Sequence, residues 1–300
     1  MRIGALEAGG TKMVCAVGDE AGNIFERTQI PTADPESTLA ALSDWFRAQK
    51  VEALGIGCFG PIDLRRTSKT YGYITTTPKP GWAQCDMVGT FRRALAVPVG
   101  FDTDVNASVL GEVTFGQARD LQTVLYLTVG TGIGLGVWVN GQLHHGILHP
   151  EGGHVLLPLH PQEHWRCRCP YHANCLEGLA CGPAIEERWG KRAEELTDRA
   201  QVWEMEAFYL AQALVDYICT FAPEKIILGG GVMKQRQLFP LIRRETARLL
   251  NGYLAAEELR NLEQYIVPES LGGDQGILGC LRLGALEWEK TNGKEWEHER

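Results

Sequence analysis

The chain has 300 residues, of which 44% are apolar, and a formal net charge of −8 at pH 7. This length accommodates one large or two medium domains with a substantial core. The acidic balance and the lack of a lysine/arginine block argue against a nucleic-acid binder. The sequence shows neither a signal peptide nor an apolar run of membrane-spanning length, so we expect a cytoplasmic protein without a membrane partner.

In the first part of the chain, apolar runs and helical spacing of large side chains predict alternating strands and helices. The predicted strands are residues 3–8, 13–17, 23–30, 52–57 and 97–101, and the predicted helices are 35–49, 85–95 and 104–115. Residues 71–82 are rich in Thr, Pro and Gly, and we predict an irregular segment on the substrate side.

The second part of the chain repeats this alternation. The predicted strands are residues 124–129, 135–139, 224–228 and 265–267, and the predicted helices are 176–181, 183–193, 200–221, 234–250 and 273–286. A loop is predicted over residues 142–154, and a frayed polar tail over 287–300. The pattern indicates an α/β chain folded as two lobes.

We predict an N-terminal lobe over residues 1–118 and a C-terminal lobe over residues 119–288, followed by a polar tail at 289–300. The last helix of the second lobe can pack back on the first.

Two glycine-rich turns each join a pair of predicted strands. The first is Gly9-Gly10-Thr11-Lys12, and the second is Gly130-Thr131-Gly132-Ile133-Gly134. Backbone N–H groups, a hydroxyl and a lysine are the groups that phosphate oxygens need. The spacing fits neither a Walker loop nor the dinucleotide fingerprint, so the alternative for each turn is a hairpin without a ligand. As a pair they predict a duplicated architecture with a nucleotide in the cleft between the halves.

Strand ends carry further candidates. Asp102 and Asp104 flank Thr103 where a strand passes into a helix, and a carboxylate there can take the proton of a hydroxyl nucleophile. Asp104 is the candidate base, and a helix cap is the alternative role. Gly60 and Pro61 follow another strand, at the kind of strand end that commonly contacts ligands.

Three of the nine cysteines lie between residues 167 and 175. Cys169, His172 and Cys175 follow one another at three-residue intervals, and His154 lies fifteen residues upstream of Cys169. Four Cys and His ligands suit a structural Zn²⁺ with no open position for chemistry. Cys167 competes with Cys169 as a ligand, and a disulfide is the alternative, although a cytosolic chain disfavours it.

Glu151 and Glu177 lie on either side of this cluster. Carboxylates and a histidine brought together on one loop suit the hydroxyls of a sugar; the alternative is that each is solvated surface. Gly229, Gly230 and Gly231 follow a strand and allow a flat ring to lie against the backbone, although a plain helix entry is the alternative.

Together these motifs resemble the ROK sugar kinases of the actin/hexokinase/Hsp70 superfamily over about residues 1–288. The resemblance rests on Glu7–Lys12, Asp104-Val105-Asn106, Gly130–Gly134 and Glu151-Gly-Gly-His154 with the Cys/His cluster and Glu177. It implies a two-lobed actin/hexokinase-like (ribonuclease H-like) fold with a duplicated βββαβα core and a zinc-stapled loop.

The resemblance also implies ATP-dependent phosphorylation of a small-molecule sugar, with Mg²⁺ on the phosphates, a cleft that closes on the sugar, and a homodimer. The implied roles are general base for Asp104; nucleotide and phosphate contacts for Glu7, Gly9, Gly10, Thr11, Lys12, Gly130, Thr131, Gly132, Gly134, Gly229, Gly230 and Gly231; sugar-site contacts for Gly60, Pro61, Thr103, Asn106, Glu151, His154 and Glu177; and zinc ligation by His154, Cys169, His172 and Cys175.

The sequence departs from the commonest family pattern at three points. Glu7 replaces an aspartate, Thr103 replaces the asparagine of glucokinases, and the cluster reads Cys-x2-His-x2-Cys. Four features of the sequence resemble the bacterial fructokinase branch: Glu7, the histidine-containing cluster, and the segments that end at Trp82 and Pro183. This favours D-fructose as the substrate, giving fructose 6-phosphate.

Two alternatives to a fructokinase stay open. One is a kinase of the same family that acts on mannose, glucose or an N-acetylhexosamine. The other is a non-catalytic sugar sensor, since the family also contains repressors. Those repressors carry a helix-turn-helix domain ahead of the first motif, whereas six residues precede Glu7 here.

Overall fold

The structure, a computed structural model, describes residues 1–77 and 79–293. Residues 294–300 of the predicted tail and Pro78 of the predicted irregular segment lie outside the described residues.

The strands are β1 (Ile3–Ala8), β2 (Lys12–Gly18), β3 (Ile24–Pro31), β4 (Ala53–Cys58), β5 (Tyr73–Ile74), β6 (Cys85–Asp86), β7 (Val99–Thr103), β8 (Val124–Val129), β9 (Ile133–Val139), β10 (Gln142–Leu143), β11 (Lys225–Gly229) and β12 (Ile266–Pro268). The α-helices are α1 (Pro35–Ala48), α2 (Met87–Leu95), α3 (Asp104–Thr114), α4 (Leu176–Ala180), α5 (Gly182–Trp189), α6 (Ala200–Phe221), α7 (Leu238–Leu250), α8 (Leu262–Tyr265) and α9 (Gln275–Thr291). Short 3-10 turns cover Gly152–His154, Ala193–Glu195, Val232–Lys234 and Glu258–Arg260.

The chain forms two compact units. The first contains Met1–Asp120, Leu143–Pro150 and the chain from Ser270 onward, and the second contains Leu121–Gln142 and Glu151–Glu269. The polypeptide therefore enters the first unit three times. The predicted lobe boundary between residues 118 and 119 stays a prediction.

In the first unit, five strands form a mixed sheet in the order β3-β2-β1-β4-β7. β1 pairs antiparallel with β2 through the first glycine turn, whereas β1, β4 and β7 run parallel. These three parallel strands are almost entirely buried, as expected for continuous apolar runs in a parallel sheet. Ala8 pairs with Cys58, and Cys58 with Thr103, so the three strands end at the same edge of the sheet.

Polar side chains cap the helices that follow these strands. Asp34 accepts a hydrogen bond from the Ser37 N–H at the start of α1, and Asp86 does so from the Gly89 N–H at the start of α2. Because Asp86 is the cap, α2 begins at Met87, two residues later than the sequence predicts.

Helix α9 packs with its backbone against the first sheet and against α3. A Cβ atom on Gly279 would collide with the carbonyl oxygen of Ala107 in α3, and one on Gly55 of β4 would collide with the carbonyl oxygen of Cys280. Only glycine permits approaches this close.

The prediction that the polar tail starts at residue 287 is wrong, because α9 continues to Thr291. The Glu287 side chain is buried and forms an ion pair with Arg66, with 2.5 Å between Nη2 and Oε2. A carboxylate that reads as a tail residue therefore anchors the last turns of the helix.

In the second unit, the sheet order is β10-β9-β8-β11-β12, which repeats the connectivity of the first sheet. β8 and β9 form an antiparallel hairpin through the second glycine turn, and β8, β11 and β12 run parallel. Helix α6 supplies much of the core, including Trp203, Tyr209 and Leu214. These mixed sheets with their helices confirm the predicted α/β class.

Two predicted helices of this unit are too long. Helix α5 ends at Trp189, and not at residue 193, because Gly190 takes a left-handed conformation with φ +71° and closes the helix. The predicted helix at 234–250 begins only at Leu238, after the separate 3-10 turn Val232–Lys234. Among the helices of the described residues, none has the length and apolar character needed to cross a membrane.

The close packing of α9 can be tested with Gly279→Ala. Alanine is the better helix former, yet here its methyl group meets the Ala107 carbonyl. We expect the free energy of unfolding, measured by urea denaturation, to fall by about 2 kcal/mol. The control is Gly146→Ala, whose added methyl group lies at an ordinary 3.7 Å from the Leu148 oxygen. An unchanged Gly279→Ala protein would show that this helix contact tolerates an extra methyl group.

Candidate active site

Asp104 is the first residue of α3, directly after the end of β7. Thr103 caps the helix, since its Oγ1 accepts a hydrogen bond from the Asn106 N–H at 3.1 Å. The cap role considered for the aspartates therefore belongs to the threonine. The Asp104 carboxylate is partly exposed, and its Oδ1 accepts the Val105 N–H at 2.9 Å. The carboxylate thus lies at a helix N-terminus, where negative charge is favourable, and a carboxylate can act as a general base.

Asp102, two residues earlier, is buried and has partners on both carboxylate oxygens. Its Oδ1 accepts from the Thr103 N–H at 2.8 Å and from Asn106 Nδ2 at 2.7 Å. Its Oδ2 lies 2.8 Å from Nε2 of His145. Asn106 is fully buried, so it does not line the surface, and it holds Asp102 through a hydrogen bond from the interior side.

The first glycine turn connects β1 to β2 at the same sheet edge. The Gly9 N–H donates to the Lys12 carbonyl at 3.1 Å, and a Cβ on Gly9 would stand 2.7 Å from that oxygen. Gly10, Thr11 and Lys12 are exposed. The turn therefore presents a hydroxyl, a lysine and backbone N–H groups to the exterior, which are the donors that an anion requires.

Glu7 lies one pleat before this turn, at the end of β1. Burial and, to a smaller extent, the negative charge of Asp104 raise its pKa to about 7, although Lys12 and Arg27 act in the opposite direction. A Cβ on Gly276, in the first turn of α9, would lie 3.0 Å from the Glu7 carboxylate oxygens. The carboxylate is thus enclosed beside Asp104 and would be stabilised by a cation.

Gly60 and Pro61, joined by a cis peptide bond, follow β4 at this edge. The next N–H, that of Ile62, donates to Nε2 of His149 at 3.1 Å. Burial lowers the pKa of His149, which keeps the imidazole neutral and able to accept. The Gly60-Pro61 turn is therefore fixed by a histidine from the segment Leu143–Pro150.

In the second unit, the Gly130–Gly134 turn is supported from two sides. The Ile133 N–H donates to Glu177 Oε2 at 2.9 Å, and the Gly182 N–H donates to the Gly130 carbonyl at 2.8 Å. Thr131 is exposed at the tip. Glu177, proposed from sequence for sugar binding, holds the start of α4 against this turn.

The glycine triplet adjoins the same turn. Gly229 pairs with Thr128, so β8 and β11 end together. Gly230 has φ +92°, and a Cβ there would lie 2.5 Å from the Val129 carbonyl oxygen. A Cβ on Gly130 would lie 3.8 Å from the Gly231 nitrogen. The structure therefore brings the two glycine motifs of this unit together at one sheet edge.

His154, Cys169, His172 and Cys175 also come together. One candidate ligand atom from each side chain lies within 4.8 Å of all the others. Sγ of Cys169 is 3.4 Å from Nδ1 of His172 and 4.0 Å from Nδ1 of His154. Cys167 is not in this group; its buried Sγ faces Gly178. Two nitrogen and two sulfur ligands make a donor set that could hold a metal ion.

Two carboxylates flank the cluster. Burial and, to a smaller extent, the charge of Glu177 raise the pKa of Glu151 to about 7. Oε1 of Glu177 is 3.8 Å from Nε2 of His154. Glu151 and Glu177 therefore lie close to one another, and Glu177 lies beside His154 of the Cys/His cluster.

The candidate residues thus lie in both units, and comparison with known proteins identifies the family of the chain. A sequence profile described as "ROK family" matches residues 3–285. The chain belongs to the ROK family.

Relatives within the ROK family include named kinases. The chain is 47% identical over 283 residues to the fructokinase of Pediococcus pentosaceus, covering 94% of this chain and 97% of that protein. It is 41% identical over 286 residues to the fructokinase of Streptococcus mutans, covering 93% and 96% respectively. The ROK hexokinase of Thermus thermophilus has a TM-score of 0.79 at 28% identity, covering 97% of this chain and 100% of that one.

Two histidines of this ROK chain that sequence reasoning missed belong to the site region of the first unit. His145 bonds to Asp102, and His149 bonds to the Ile62 N–H. Neither stands in a motif, and their partners are 43 and 87 residues away in the chain. The adjacent pair His144-His145 in a short segment was the only visible signal.

Proposed function

We propose that this ROK protein is an ATP-dependent fructokinase that phosphorylates the 6-hydroxyl of D-fructose. The observation that carries the proposal is its 47% and 41% identity to fructokinases over more than 90% of the chain. The placement of Asp104 at the start of α3, beside a turn with anion-binding groups, is the geometry that such a reaction requires.

In the proposed reaction Asp104 is the general base. Its carboxylate accepts the proton of the 6-hydroxyl while that oxygen attacks the γ-phosphorus of ATP. The bond between the γ-phosphorus and its bridging oxygen breaks, and ADP leaves with the electron pair. Since the loose transition state of phosphoryl transfer needs little covalent help, most of the acceleration comes from positioning and charge stabilisation.

Two glycine turns are proposed to bind the phosphates. Thr11, Lys12 and the N–H groups of Gly9 and Gly10 act from the first turn. The second turn contributes Thr131 and the N–H groups of Gly130, Gly132 and Gly134. Gly229, Gly230 and Gly231 adjoin the second turn, and we assign them to the adenosine.

Magnesium would accompany the nucleotide and neutralise charge on the phosphates. Glu7 fits this role, because its enclosed carboxylate has a pKa raised to about 7 and a cation would restore its charge. It can act through a bound water or directly. The remaining site residues, Gly60, Pro61, Thr103, Asn106, Glu151, His154 and Glu177, are proposed to contact or support the sugar.

The Cys/His cluster is proposed to hold a structural Zn²⁺. Four protein ligands close a tetrahedral site and leave no position for substrate, and the N₂S₂ set suits zinc. The ion would tie residues 154–175 together and thereby fix Glu151 and Glu177. In this proposal the metal stiffens the sugar-binding loop and takes no part in the chemistry.

Three proposals about the architecture rest on the family resemblance. The repeated connectivity of the two sheets supports a duplicated actin/hexokinase-like core. The lobes at residues 1–118 and 119–288, with a tail at 289–300, follow the same plan. A homodimer is proposed from the resemblance alone.

The substrate is tested with a panel of sugars in a coupled assay for ADP. We expect kcat/KM for D-fructose to exceed that for mannose, glucose and N-acetylhexosamines by at least about tenfold, since one well-made hydroxyl contact discriminates by that much. A higher kcat/KM for another hexose would support a kinase of the same family with that hexose as its substrate. If no sugar stimulated ADP release, the result would favour the non-catalytic sugar sensor.

The base is tested with Asp104→Asn. The amide cannot accept the proton, so kcat should fall about 10²- to 10⁴-fold while the KM for fructose changes little. Asp44→Asn, an exposed aspartate on α1, is the matched control and should keep full activity. If kcat of Asp104→Asn stayed within threefold of the wild-type value, Asp104 would not be the general base.

The zinc site is tested with Cys175→Ala. The zinc content, measured by mass spectrometry of the purified protein, should fall from about one ion per chain to near zero, and the KM for fructose should rise. Cys219→Ala, at an exposed cysteine, is the control and should retain both values. Unchanged zinc content and KM in Cys175→Ala would contradict the structural role of this cluster.

A further inference from the structure

The segment Leu143–Pro150 is attached to the first unit by two imidazoles. His149 is buried and accepts the Ile62 N–H, whereas His145 lies nearer the surface, with 36% of its side chain exposed. The His145 side chain is therefore partly open to solvent, while its Nε2 is held by the protein.

Asp102 holds that nitrogen. Its buried Oδ2 is 2.8 Å from Nε2 of His145. Burial by itself lowers the pKa of His145, but the hydrogen bond and charge of Asp102 outweigh it and leave the pKa raised. A carboxylate acceptor at Nε2 places a proton on that nitrogen in both the neutral and the charged ring.

Asp102 is itself immobilised from below. The Thr103 N–H and the fully buried Asn106 amide both donate to its Oδ1. Asn106 Nδ2 is 3.4 Å from Nε2 of His145, so the amide and the imidazole occupy different oxygens of one carboxylate. A series of hydrogen bonds therefore runs from the buried interior to the surface, through Asn106, Asp102 and His145 in that order.

Asp102, the middle member of this series, lies close to the proposed base in the chain. Asp102 and Asp104 are separated by one residue, which limits the distance between their Cα atoms to about 7 Å. A hexose whose reacting hydroxyl lies at Asp104 has further hydroxyls within reach of neighbouring side chains.

We propose that His145 is a sugar-binding residue: Nδ1 of its ring, the nitrogen that Asp102 does not contact, forms a hydrogen bond to a hydroxyl of the hexose. Asp102 and Asn106 are positioning residues that hold the imidazole for this contact. The inference rests on the proposed function, because it concerns the sugar that Asp104 activates. It assigns to Asn106 a supporting role beneath the site.

The test is steady-state kinetics of His145→Ala, with saturating ATP and varied fructose. We expect the KM for fructose to rise about tenfold or more, with kcat within about threefold, since a contact made equally in the ground and transition states affects KM alone. The KM for ATP should not change. Melting temperature and circular dichroism establish that the variant is folded.

Two further variants separate binding from structure. His145→Gln keeps an amide donor for Asp102 and an acceptor for the sugar, so its KM should return to within about threefold of wild type. Ile147→Ala changes a side chain of the same segment that is 85% exposed, and it should leave KM unchanged.

A double-mutant cycle tests the positioning role of Asp102. Asp102→Asn replaces the acceptor that orients the ring, so its KM should also rise. If Asp102 acts through His145, the double variant should be no worse than His145→Ala alone.

Several results would overturn the inference. They are a KM within twofold of wild type for His145→Ala, a fall in kcat with unchanged KM, and effects of Asp102→Asn and His145→Ala that multiply. A wild-type protein that prefers another hexose contradicts only the proposed substrate, and the same comparison is then made with that hexose.

Discussion

Close contact between backbones at glycine positions sets the geometry of the first unit. Gly55 and Gly57 of β4 let α9 and α3 approach the sheet; a Cβ on Gly57 would lie 2.8 Å from Cβ of Ala107 and 3.3 Å from Cα of Asp104. Gly279 brings α9 against α3 in the same way. Because larger residues would push these helices outward, the position of Asp104 above the sheet edge depends on residues that carry no chemistry.

The site then follows from the alignment of strand ends. β1, β4 and β7 finish in register, so the first glycine turn, the Gly60-Pro61 turn and Asp104 all emerge at one edge. In the second unit, β8 and β11 end together and place two glycine turns side by side. Carboxylates support the groups at these edges: the half-buried Glu177 holds the second turn, and the buried Asp102 holds His145. Hydrogen bonds from these carboxylates thus orient polar groups near the surface. Precise binding usually requires such support.

Local patterns predicted the α/β class, the two hairpins and the four members of the Cys/His cluster, because each depends on residues close together in the chain. The end of α5 was missed because Gly190, and not the apolar pattern, closes that helix. The reach of α9 was missed because Glu287 reads as a tail residue until its distant partner Arg66 is known. The role of His145 could not be predicted, since the chain must fold before it meets Asp102.

The central claim is that the protein transfers the γ-phosphate of ATP to the 6-hydroxyl of fructose. Its most direct test is phosphorus NMR of the products formed from ATP and D-fructose by the wild-type protein. The account predicts fructose 6-phosphate and ADP in equal amounts, with little inorganic phosphate. Phosphate on another hydroxyl, or release of inorganic phosphate without a sugar phosphate, would contradict it.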